Sequence, residues 1–382
     1  MKIILLAGEE SGVLYADQLK ARLTGCEVRG YGDYGFRTED LAVMGIEEVL
    51  RNIFFLLRVK RTMERAIDEW KPDVVCTIDY PGMNMKLAAY AKARGVRTVH
   101  VVCPQVWAWK AGRIPKIERI FDRLCCFFPF EPSLFKPGFA EFVGHPLVEA
   151  MKKGDEGRET RGDGRGMTLA LLPGSRIGEI EKHLPVMLET VDAIAPAEQT
   201  EVVIPAANDR ALVAINRILA RRAARGARRE ARTVVQSGGA RDLLRRADCA
   251  VVASGTATLE AALANCPTVL VYKASPLFAF IARRVIRGIR FIGLANIIWD
   301  RSRSVRGETP PVSEAPMPEL LQENFTVENL TRELRPLLTD AAVRAKARER
   351  LAGAMSLLNG EGDAIGRIAE IVSGVSACGF LV

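Results

Sequence analysis

Short apolar runs alternate with helical patterns along most of this 382-residue chain. The runs are Ile3–Ala7, Val74–Ile78, Thr98–Cys103, Thr168–Leu172, Val202–Ile204, Thr233–Val235, Ala250–Ala253 and Thr268–Tyr272. Apolar runs of this length are typical of strands buried on both faces, and the helical segments between them, such as Lys86–Arg94, supply crossover connections. The alternation therefore predicts an α/β fold in which helices cover parallel sheets.

A segment rich in Gly, Arg, Asp and Glu interrupts this alternation at 152–166, and we predict that it is an exposed linker. The length of the chain favours two domains. We expect two Rossmann-like domains with an interdomain cleft, at 1–151 and 167–345, and C-terminal helices at 346–382 that pack near the domain boundary. Within the second domain, 301–318 is predicted to be a loop. Sheets of this kind place ligands beyond the carboxyl ends of their strands.

The composition excludes several classes of protein. Hydrophobic residues make up 48% and charged residues 26% of the chain, as in globular domains. The eight cysteines include no CxxC pair, and His100, His145 and His183 are not spaced to share an ion. We therefore expect no disulfide framework, no metal and no cofactor, and a reducing cytoplasm as the location. Met1–Ala7 is predicted to be a first strand and not a targeting segment, and no uncharged apolar stretch is long enough to span a membrane.

The net charge is +8, and many of the arginines are clustered. Arg221, Arg222, Arg225, Arg228, Arg229 and Arg232 would share one face of a continuous helix, and Arg283, Arg284, Arg287 and Arg290 repeat the pattern. Such a face is usually solvated; nucleic acid, an anionic lipid surface and phosphate ligands are the alternatives. No nucleic-acid-binding motif accompanies the charge, so nucleic acid is not an expected partner.

Two strand-to-helix junctions in the second half indicate an anion site. One strand ends at Ser254-Gly255-Thr256, and an earlier one ends at Pro173-Gly174-Ser175-Arg176. Backbone N–H groups at a helix start attract phosphate, glycine admits close approach, and the Arg176 guanidinium could hold a diphosphate. Each junction alone is more often a plain capped helix, but the pair predicts one nucleotide-diphosphate site, with Glu260 placed to bind a ribose hydroxyl. The chain has no GxGxxG at its first strand, which argues against a dehydrogenase.

An ordered set of motifs spans nearly the whole chain: residues 7–12, 41–50, 71–73, Ile78-Asp79, Pro104–Trp109, Phe128–Glu131, Phe142–His145, Leu171–Arg176, Ala253–Glu260, Asn296 and Glu319–Gln322. Together these motifs resemble the lipid-A-disaccharide synthase family of GT-B glycosyltransferases. The resemblance implies transfer of a diacylglucosamine unit from UDP-2,3-diacylglucosamine to 2,3-diacylglucosamine 1-phosphate, an acylated sugar phosphate. The reaction would invert the anomeric carbon and give lipid A disaccharide 1-phosphate and UDP.

The resemblance also implies roles for individual residues. Asp79 is expected to be the general base, and Glu9 to orient the acceptor or assist Asp79. The donor-binding residues would be Gly174, Ser175, Arg176, Ser254, Gly255, Thr256, Glu260 and Asn296, and the acceptor-side residues Ser11, Asn84 and Trp107. From the residues alone, Asp79 is as often a loop or helix cap and Trp107 a core aromatic.

Both substrates of that family carry acyl chains, so we expect peripheral association with the cytoplasmic face of the inner membrane. Ile53–Leu57 followed by Arg58, Lys60, Arg61 and Arg65 is a candidate membrane-surface helix. An ordinary amphipathic core helix explains the same pattern equally well. The sequence leaves open a homodimer, the acyl-chain length and a divalent-ion requirement.

The chain departs from the family pattern in its acceptor domain. Val13 replaces an aspartate, Gly82 replaces the second aspartate of D-x-P-D-F-N, and Gly30–Gly35 replaces a GGPRM loop. The loop between Asn296 and Glu319 is also longer than usual. A UDP-sugar donor is thus better supported than the acceptor, and the alternative is another GT-B enzyme using a UDP-N-acetylglucosamine-type donor, either a transferase or a 2-epimerase.

Overall fold

The computed structural model describes residues 1–8, 10–37, 41, 53–152, 166–194, 200–224, 232–275, 289–360 and 362–374. The chain divides into two compact units. The first comprises Met1–Glu149 and Leu358–Val382, and the second Ala150–Leu357. The C-terminal segment thus belongs to the first unit. The domain bounds set from the sequence stay a prediction, and most of the predicted linker, 153–165, lies outside the described residues.

The first unit holds a six-stranded sheet in which every pairing is parallel. Its strands are β1 Lys2–Ala7, β2 Glu27–Arg29, β3 Val74–Ile78, β4 Arg97–Val101, β5 Arg123–Cys126 and β6 Ala140–Phe142, in the order β2-β1-β3-β4-β5-β6. Its helices are α1 Glu10–Arg22, α2 Ile53–Trp70, α3 Pro81–Lys92, α4 Ile114–Ile120, α5 Pro146–Lys152 (which runs into the second unit) and, near the C-terminus, α13 Ala364–Ser373.

The strands of this sheet are apolar because helices cover both faces. Along β1, Ile3 and Leu5 pack with α1 and α13, whereas Ile4 and Leu6 pack with α2 and α3 on the opposite face. Alternate side chains of a strand point to opposite faces, so burying both requires an unbroken apolar run.

The second unit repeats this plan with strands β7 Met167–Leu172, β8 Thr200–Ala206, β9 Arg232–Ser237, β10 Cys249–Ala253, β11 Thr268–Tyr272 and β12 Glu319–Leu321. The order is β12-β11-β10-β7-β8-β9, all parallel. Its helices are α6 Ile177–Ala193, α7 Asp209–Ala224, α8 Ala240–Arg246, α9 Thr256–Leu263, α10 Leu294–Ser304, α11 Val327–Thr339 and α12 Ala341–Met355. This is the strand order of dinucleotide-binding Rossmann sheets, so the predicted α/β class with two Rossmann-like units is confirmed.

Three predictions about local structure were wrong. The helix expected over Lys86–Arg94 begins earlier, because Pro81 occupies its first turn, where a missing N–H costs nothing. Arg232 begins β9 and therefore does not share a helical face with Arg221 and Arg222, which lie on the helix described over Asp209–Ala224. Helix α10 extends into the predicted loop at 301–318. The other clustered arginines, 225–229 and 283–287, lie outside the described residues.

No helix in the described part of the chain is both long and apolar enough to cross a membrane.

Candidate active site

The order of the first sheet creates a crevice where strands β1 and β3 meet. From β1 the chain continues to β2 on one side of the sheet, and from β3 it continues to β4 on the other. The loops that follow β1 and β3 therefore diverge at their carboxyl ends, and ligands of open α/β sheets bind at such switch points. Gly8 lies in the first loop, and Asp79 and Tyr80 lie in the second.

Strained backbone marks this edge of the sheet. Asp79 and Tyr80 adopt consecutive left-handed conformations, with φ angles of 47° and 49°, and the β-branched Val102 after β4 has a φ of 73°. Left-handed backbone is rare outside glycine and clusters at functional sites. Burial raises the pKa of Asp79 above its usual range, although a hydrogen bond from the backbone N–H of Tyr80 acts in the opposite direction. A carboxylate with a raised pKa is suited to accept a proton near neutral pH.

Asn84 links the carboxyl ends of β1 and β3 to the loop that follows β3. Its buried amide donates to the carbonyls of Leu6 at 3.3 Å, Ile78 at 3.1 Å and Asp79 at 2.8 Å. Its carbonyl accepts from the Tyr31 hydroxyl at 3.0 Å. Asn84 was predicted on the acceptor side, and the structure places it beneath the loops, where it fixes the backbone of Asp79.

Tyr31 belongs to the loop in which this chain departs from the family pattern. The loop forms a 3-10 turn over Tyr31–Tyr34, in which the Asp33 carboxylate accepts from the N–H of Gly30 at 2.7 Å. Val13, another altered position, lies on the opposite face of the sheet, where it is half-buried against the core around β1 and β3. Both departures thus have structural roles in this chain, and the sequence pattern alone did not reveal the Tyr31–Asn84 bond.

Gly8 makes room for the strained segment. A Cβ atom at Gly8 would lie 2.4 Å from Cδ1 of Tyr80, so only glycine lets the tyrosine ring lie against the β1 loop. Of the other candidates after β1, Glu9 lies outside the described residues, and the side chain of Ser11, in the first turn of α1, is likewise not described.

Trp107 is buried in a cluster that follows β4 and β5. Its indole N–H donates to Oε1 of Glu131 at 3.0 Å, and its ring packs edge-on against Phe130 with centroids 5.6 Å apart. Glu131 is 2% exposed, and burial raises its pKa to about 8. The Sγ atoms of Cys103 and Cys126 and a carboxylate oxygen of Glu131 all lie within 4.8 Å of one another. Trp107 therefore lies inside the protein, where it supports the segments that follow β4 and β5.

The second sheet has its own switch point between β7 and β10, which are neighbours although the chain departs from them in opposite directions. The two junctions singled out in the sequence, Pro173–Arg176 and Ser254–Thr256, follow these two strands. Adjacent parallel strands place both junctions at one edge of the sheet. The structure therefore brings the predicted diphosphate-binding segments together.

The junction after β7 has an uncapped helix start and the exposed guanidinium of Arg176. Gly174 has a φ of 114°, and a Cβ there would lie 2.6 Å from Oε2 of Glu179. Ser175 is exposed, and the Arg176 side chain is 65% exposed with a loose 3.3 Å contact to Glu179. Arg176 precedes helix α6, whose first N–H groups lack a side-chain cap. The geometry leaves both the guanidinium and the helix start accessible to an anion.

His183 fixes this junction, a role that the sequence did not reveal. Its Nδ1 lies 2.9 Å from the carbonyl of Pro173, and its Nε2 accepts from the N–H of Lys273, after β11, at 3.0 Å. Burial lowers its pKa, so the neutral ring donates through Nδ1 and accepts through Nε2. A polar residue on the apolar face of α6 with Ile180 and Leu184 was the available signal.

The junction after β10 is equally open. The Ser254 N–H extends the ladder to Val271 at 3.1 Å, and Gly255, with φ 157° and ψ −164°, has open space where a Cβ would project. Thr256 starts α9 and is exposed. Glu260 is only 12% exposed and accepts from the Arg241 guanidinium at 2.7 Å, which orients its carboxylate.

Asn296 and Glu319 hold the segment that leads into α10. The Asn296 amide donates to the carbonyl of Met317 and to Oε1 of Glu319, both at 2.8 Å, and accepts from the Met317 N–H at 3.0 Å. Glu319 also accepts from the N–H groups of Ile292 and Gly293. Asn296 is fully buried, so its hydrogen bonds are used within the protein.

Two Rossmann-like units, one with an exposed guanidinium and two helix starts at its sheet edge and one with a half-buried carboxylate at its switch point, are typical of the GT-B architecture. A protein-family model described as lipid-A-disaccharide synthetase matches residues 3–359. The lipid-A-disaccharide synthase of Acidobacterium capsulatum is 34% identical over 97% of this chain and 95% of that protein. That of Myxococcus xanthus is also 34% identical, over 97% and 96%. The chain belongs to the lipid-A-disaccharide synthetase family, which confirms that it is a glycosyltransferase.

Solved structures support the fold. A structure of S. aureus MnaA with UDP superposes with a TM-score of 0.57 at 15% identity, covering 97% of this chain and 95% of that one. The UDP-GlcNAc 2-epimerase of Methanocaldococcus jannaschii, in complex with UDP-GlcNAc and UDP, gives a TM-score of 0.53 at 13% identity, covering 98% and 100%. At these identities the likeness shows the architecture alone.

Proposed function

We propose that this chain transfers 2,3-diacylglucosamine from its UDP conjugate to the 6-hydroxyl of 2,3-diacylglucosamine 1-phosphate. The anomeric C–O bond to UDP breaks, and UDP leaves with the electron pair. The acceptor oxygen forms the new bond from the opposite face, and its proton passes to a carboxylate. The observation that carries this proposal is the family match over 3–359, which includes both switch-point edges.

In the proposed complex, UDP binds at the carboxyl edge of the second sheet. The exposed Arg176 and the helix starts after Ser175 and Gly255 offer donors to the diphosphate. These donors also stabilise the negative charge that develops on the leaving UDP. Gly174 keeps the backbone accessible, Ser254 and Thr256 flank the same edge, and Glu260, oriented by its ion pair, takes the ribose. Because the Asn296 amide is satisfied within the protein, we assign it the positioning of the segment before α10.

Asp79 accepts the proton from the acceptor hydroxyl. Its carboxylate lies at the switch point of the first sheet, and its raised pKa makes it a stronger base than a solvated aspartate. Asn84 and Trp107 act from beneath by holding the surrounding loops. Glu9 and Ser11 complete the acceptor side of the proposal.

Replacing Asp79 by Asn tests this role cleanly, because asparagine tolerates the left-handed backbone that Asp79 adopts. We expect kcat to fall by roughly 10²–10⁴, the usual worth of a general base, while UDP affinity stays within about twofold. A loss of UDP affinity with retained turnover would reject Asp79 as the base.

The start of α2 is the proposed membrane contact. Phe54 is 82% exposed, and Ile53 and Leu57 are exposed beside it, whereas Val59 and Met63 further along face the core. The helix thus combines a core-packing face with an exposed apolar start, and Arg58, Arg61 and Arg65 supply exposed positive charge. This arrangement fits peripheral binding to an anionic cytoplasmic membrane surface.

The Phe54→Gln variant should lose about tenfold in binding to vesicles that contain anionic lipid, since burial of a phenylalanine is worth roughly 1.5–3 kcal/mol. Val213, a 68% exposed apolar residue on α7, gives the matched control Val213→Gln, which should bind as the wild type does. Equal vesicle binding by both variants and the wild type would reject the α2 contact. Sedimentation with the vesicles measures each affinity.

The reaction itself is tested by mass spectrometry of purified protein with both acylated substrates in detergent. Disaccharide 1-phosphate formed together with UDP supports the proposal. UDP released without disaccharide would keep the donor and reassign the acceptor. Turnover of unacylated UDP-N-acetylglucosamine would instead favour the alternative transferase or 2-epimerase.

A further inference from the structure

A cavity of about 570 Å³ lies in the first unit beside the start of α3. Helices α2, α3 and α4 all contribute to its wall, and Pro81 and Gly82, which follow Asp79 and Tyr80 directly, line one end. The volume is in the range of pockets that hold small molecules and exceeds what a single inorganic ion needs. The cavity is therefore positioned and sized for a ligand next to the proposed base.

Positive charge dominates the lining of the cavity. Lys60, Lys86, Arg113 and Lys116 line the cavity, with Glu64 as the acidic residue among them. Glu64 is already paired with Lys60. Within the residues that the structure describes, Lys86, Arg113 and Lys116 form no ion pair, so three cations line the cavity without a carboxylate partner, and the Arg113 guanidinium lies over the Trp109 ring. Such a set favours a doubly charged anion.

Apolar side chains also line the cavity. Met85 and Ala89 lie on successive turns of α3, and Pro81 adds to the same lining. A ligand that fits both parts carries an anionic group and an uncharged body or chain.

Gly82 favours an anionic ligand in this cavity. The family pattern has an aspartate at this position, and here a Cβ would meet nothing within 4 Å. The glycine removes a carboxylate from the cavity wall near the start of α3, where N–H groups and the helix dipole favour negative charge. This chain thus presents a more anion-attracting cavity than the family motif encodes.

We propose that this cavity binds the phosphomonoester of the acylated acceptor sugar, with Lys86, Arg113 and Lys116 around the phosphate. The inference rests on the proposed function and extends it to the acceptor. A phosphomonoester carries about −1.5 to −2 charges at pH 7 and offers several acceptor oxygens, which matches three cations that form no ion pair with a described residue. Phosphate bound here holds the sugar at the edge that carries Asp79.

Turnover with two acceptors tests the assignment. The phosphorylated acceptor is compared with 2,3-diacylglucosamine that lacks the phosphate. The cavity variants are Lys86→Gln and Lys116→Gln, and the control is Lys346→Gln, at an exposed lysine in the second unit. We expect the KM for the phosphorylated acceptor to rise roughly tenfold in the two cavity variants. Their KM values for the donor and for the unphosphorylated acceptor should stay unchanged, as should every value of the control. Equal KM values in all variants would overturn the inference.

A binding measurement separates this inference from the proposed reaction. Titration of 2,3-diacylglucosamine 1-phosphate in neutral detergent, without donor, should show roughly tenfold weaker binding to Gly82→Asp, which restores the family carboxylate. Gly353→Asp, at another helical glycine with open space for a side chain, should bind as the wild type does. If the wild type binds in this pattern but forms no disaccharide, the proposed function fails and the cavity assignment stands. If disaccharide forms and Gly82→Asp binds normally, the cavity assignment fails.

A lipid headgroup is the other source of phosphate. Vesicles of phosphatidylcholine with phosphatidylglycerol distinguish it, because their phosphodiester carries a single charge. We expect Lys86→Gln to bind these vesicles within twofold of the wild type. A loss of vesicle binding as large as the loss of acceptor affinity would assign the cavity to the membrane and overturn the inference.

Discussion

The buried Glu131 should make the stability of this protein fall as the pH rises. Its carboxyl is 2% exposed, and burial raises its pKa from an ordinary 4.5 to about 8. The folded state therefore keeps the proton over a pH range in which the unfolded chain has lost it. The contribution of the protonated group is complete below pH 4.5 and is lost as the pH rises through 8.

The Glu131→Gln variant isolates this contribution, because glutamine retains an acceptor for the indole of Trp107 but cannot ionise. The difference in unfolding free energy between wild type and variant should change by roughly 1.4 kcal/mol per pH unit, in favour of the variant. Between pH 4.5 and 8 this amounts to about 5 kcal/mol. The neighbouring thiol of Cys126 does not interfere, because burial raises its pKa well above the usual range.

Urea unfolding at half-unit steps from pH 5 to 9 measures this difference. The exposed Glu349→Gln on α12 serves as the control and should follow the wild-type profile at every pH. Parallel profiles for wild type and Glu131→Gln would refute the reasoning, because they would mean that Glu131 ionises alike in both states.

Three further predictions concern the donor edge and the core. Gly174→Ala should weaken UDP binding at least tenfold by calorimetry, because its Cβ would meet Glu179 at a φ of 114°, whereas Gly178→Ala, which has open space, should not. His183→Leu should lower the unfolding free energy by about 1–3 kcal/mol and weaken UDP binding, since it leaves a buried carbonyl and N–H unsatisfied. The unfolding free energy of the wild type minus that of His100→Gln should fall by about 2 kcal/mol between pH 7 and 5 in urea titrations, because burial lowers the pKa of His100 to about 4.

The sign for His100 is opposite to that for Glu131. Its folded pKa lies below the unfolded value of 6.5, so the unfolded chain binds the extra proton. Its contribution is therefore present above pH 6.5 and is lost as the pH falls toward 4. Between pH 4.5 and 6.5 the two contributions change in opposite directions, so each one is obtained as the difference between the wild type and its own variant.

Long apolar strands were the most predictable part of the fold. Val74–Ile78 and Thr268–Tyr272 begin and end where the apolar runs predict. Strands covered on both faces are apolar throughout, so the ends of the apolar run mark the ends of the strand. The short strands β2, β5, β6 and β12 were not predicted. They have three or four residues and mixed composition, and pairing with a neighbour defines them more than their own sequence does.

The residues of the candidate site were likewise predictable only where they give a local signal in the sequence. The Ser254–Thr256 and Pro173–Arg176 junctions could be proposed from sequence because glycine and helix starts give a local signal. Asn84 and Trp107 could be named through the resemblance, but their burial beneath the loops could not. A hydrogen-bond partner such as Tyr31, which lies far away in sequence, leaves no periodic or spacing signal.

By itself the sequence determined the α/β class, most strands, the family and the residues at two strand ends, because these depend on local pattern and on ordered motifs. Only the tertiary structure decided which strands are neighbours, and therefore that the β1 and β3 loops diverge at Asp79 while the β7 and β10 junctions meet. It also decided the protonation of Glu131 and His183 and the convergence of Lys86, Arg113 and Lys116 on one cavity. Burial and charge proximity are properties of packed elements, and packing joins residues that are distant in the chain.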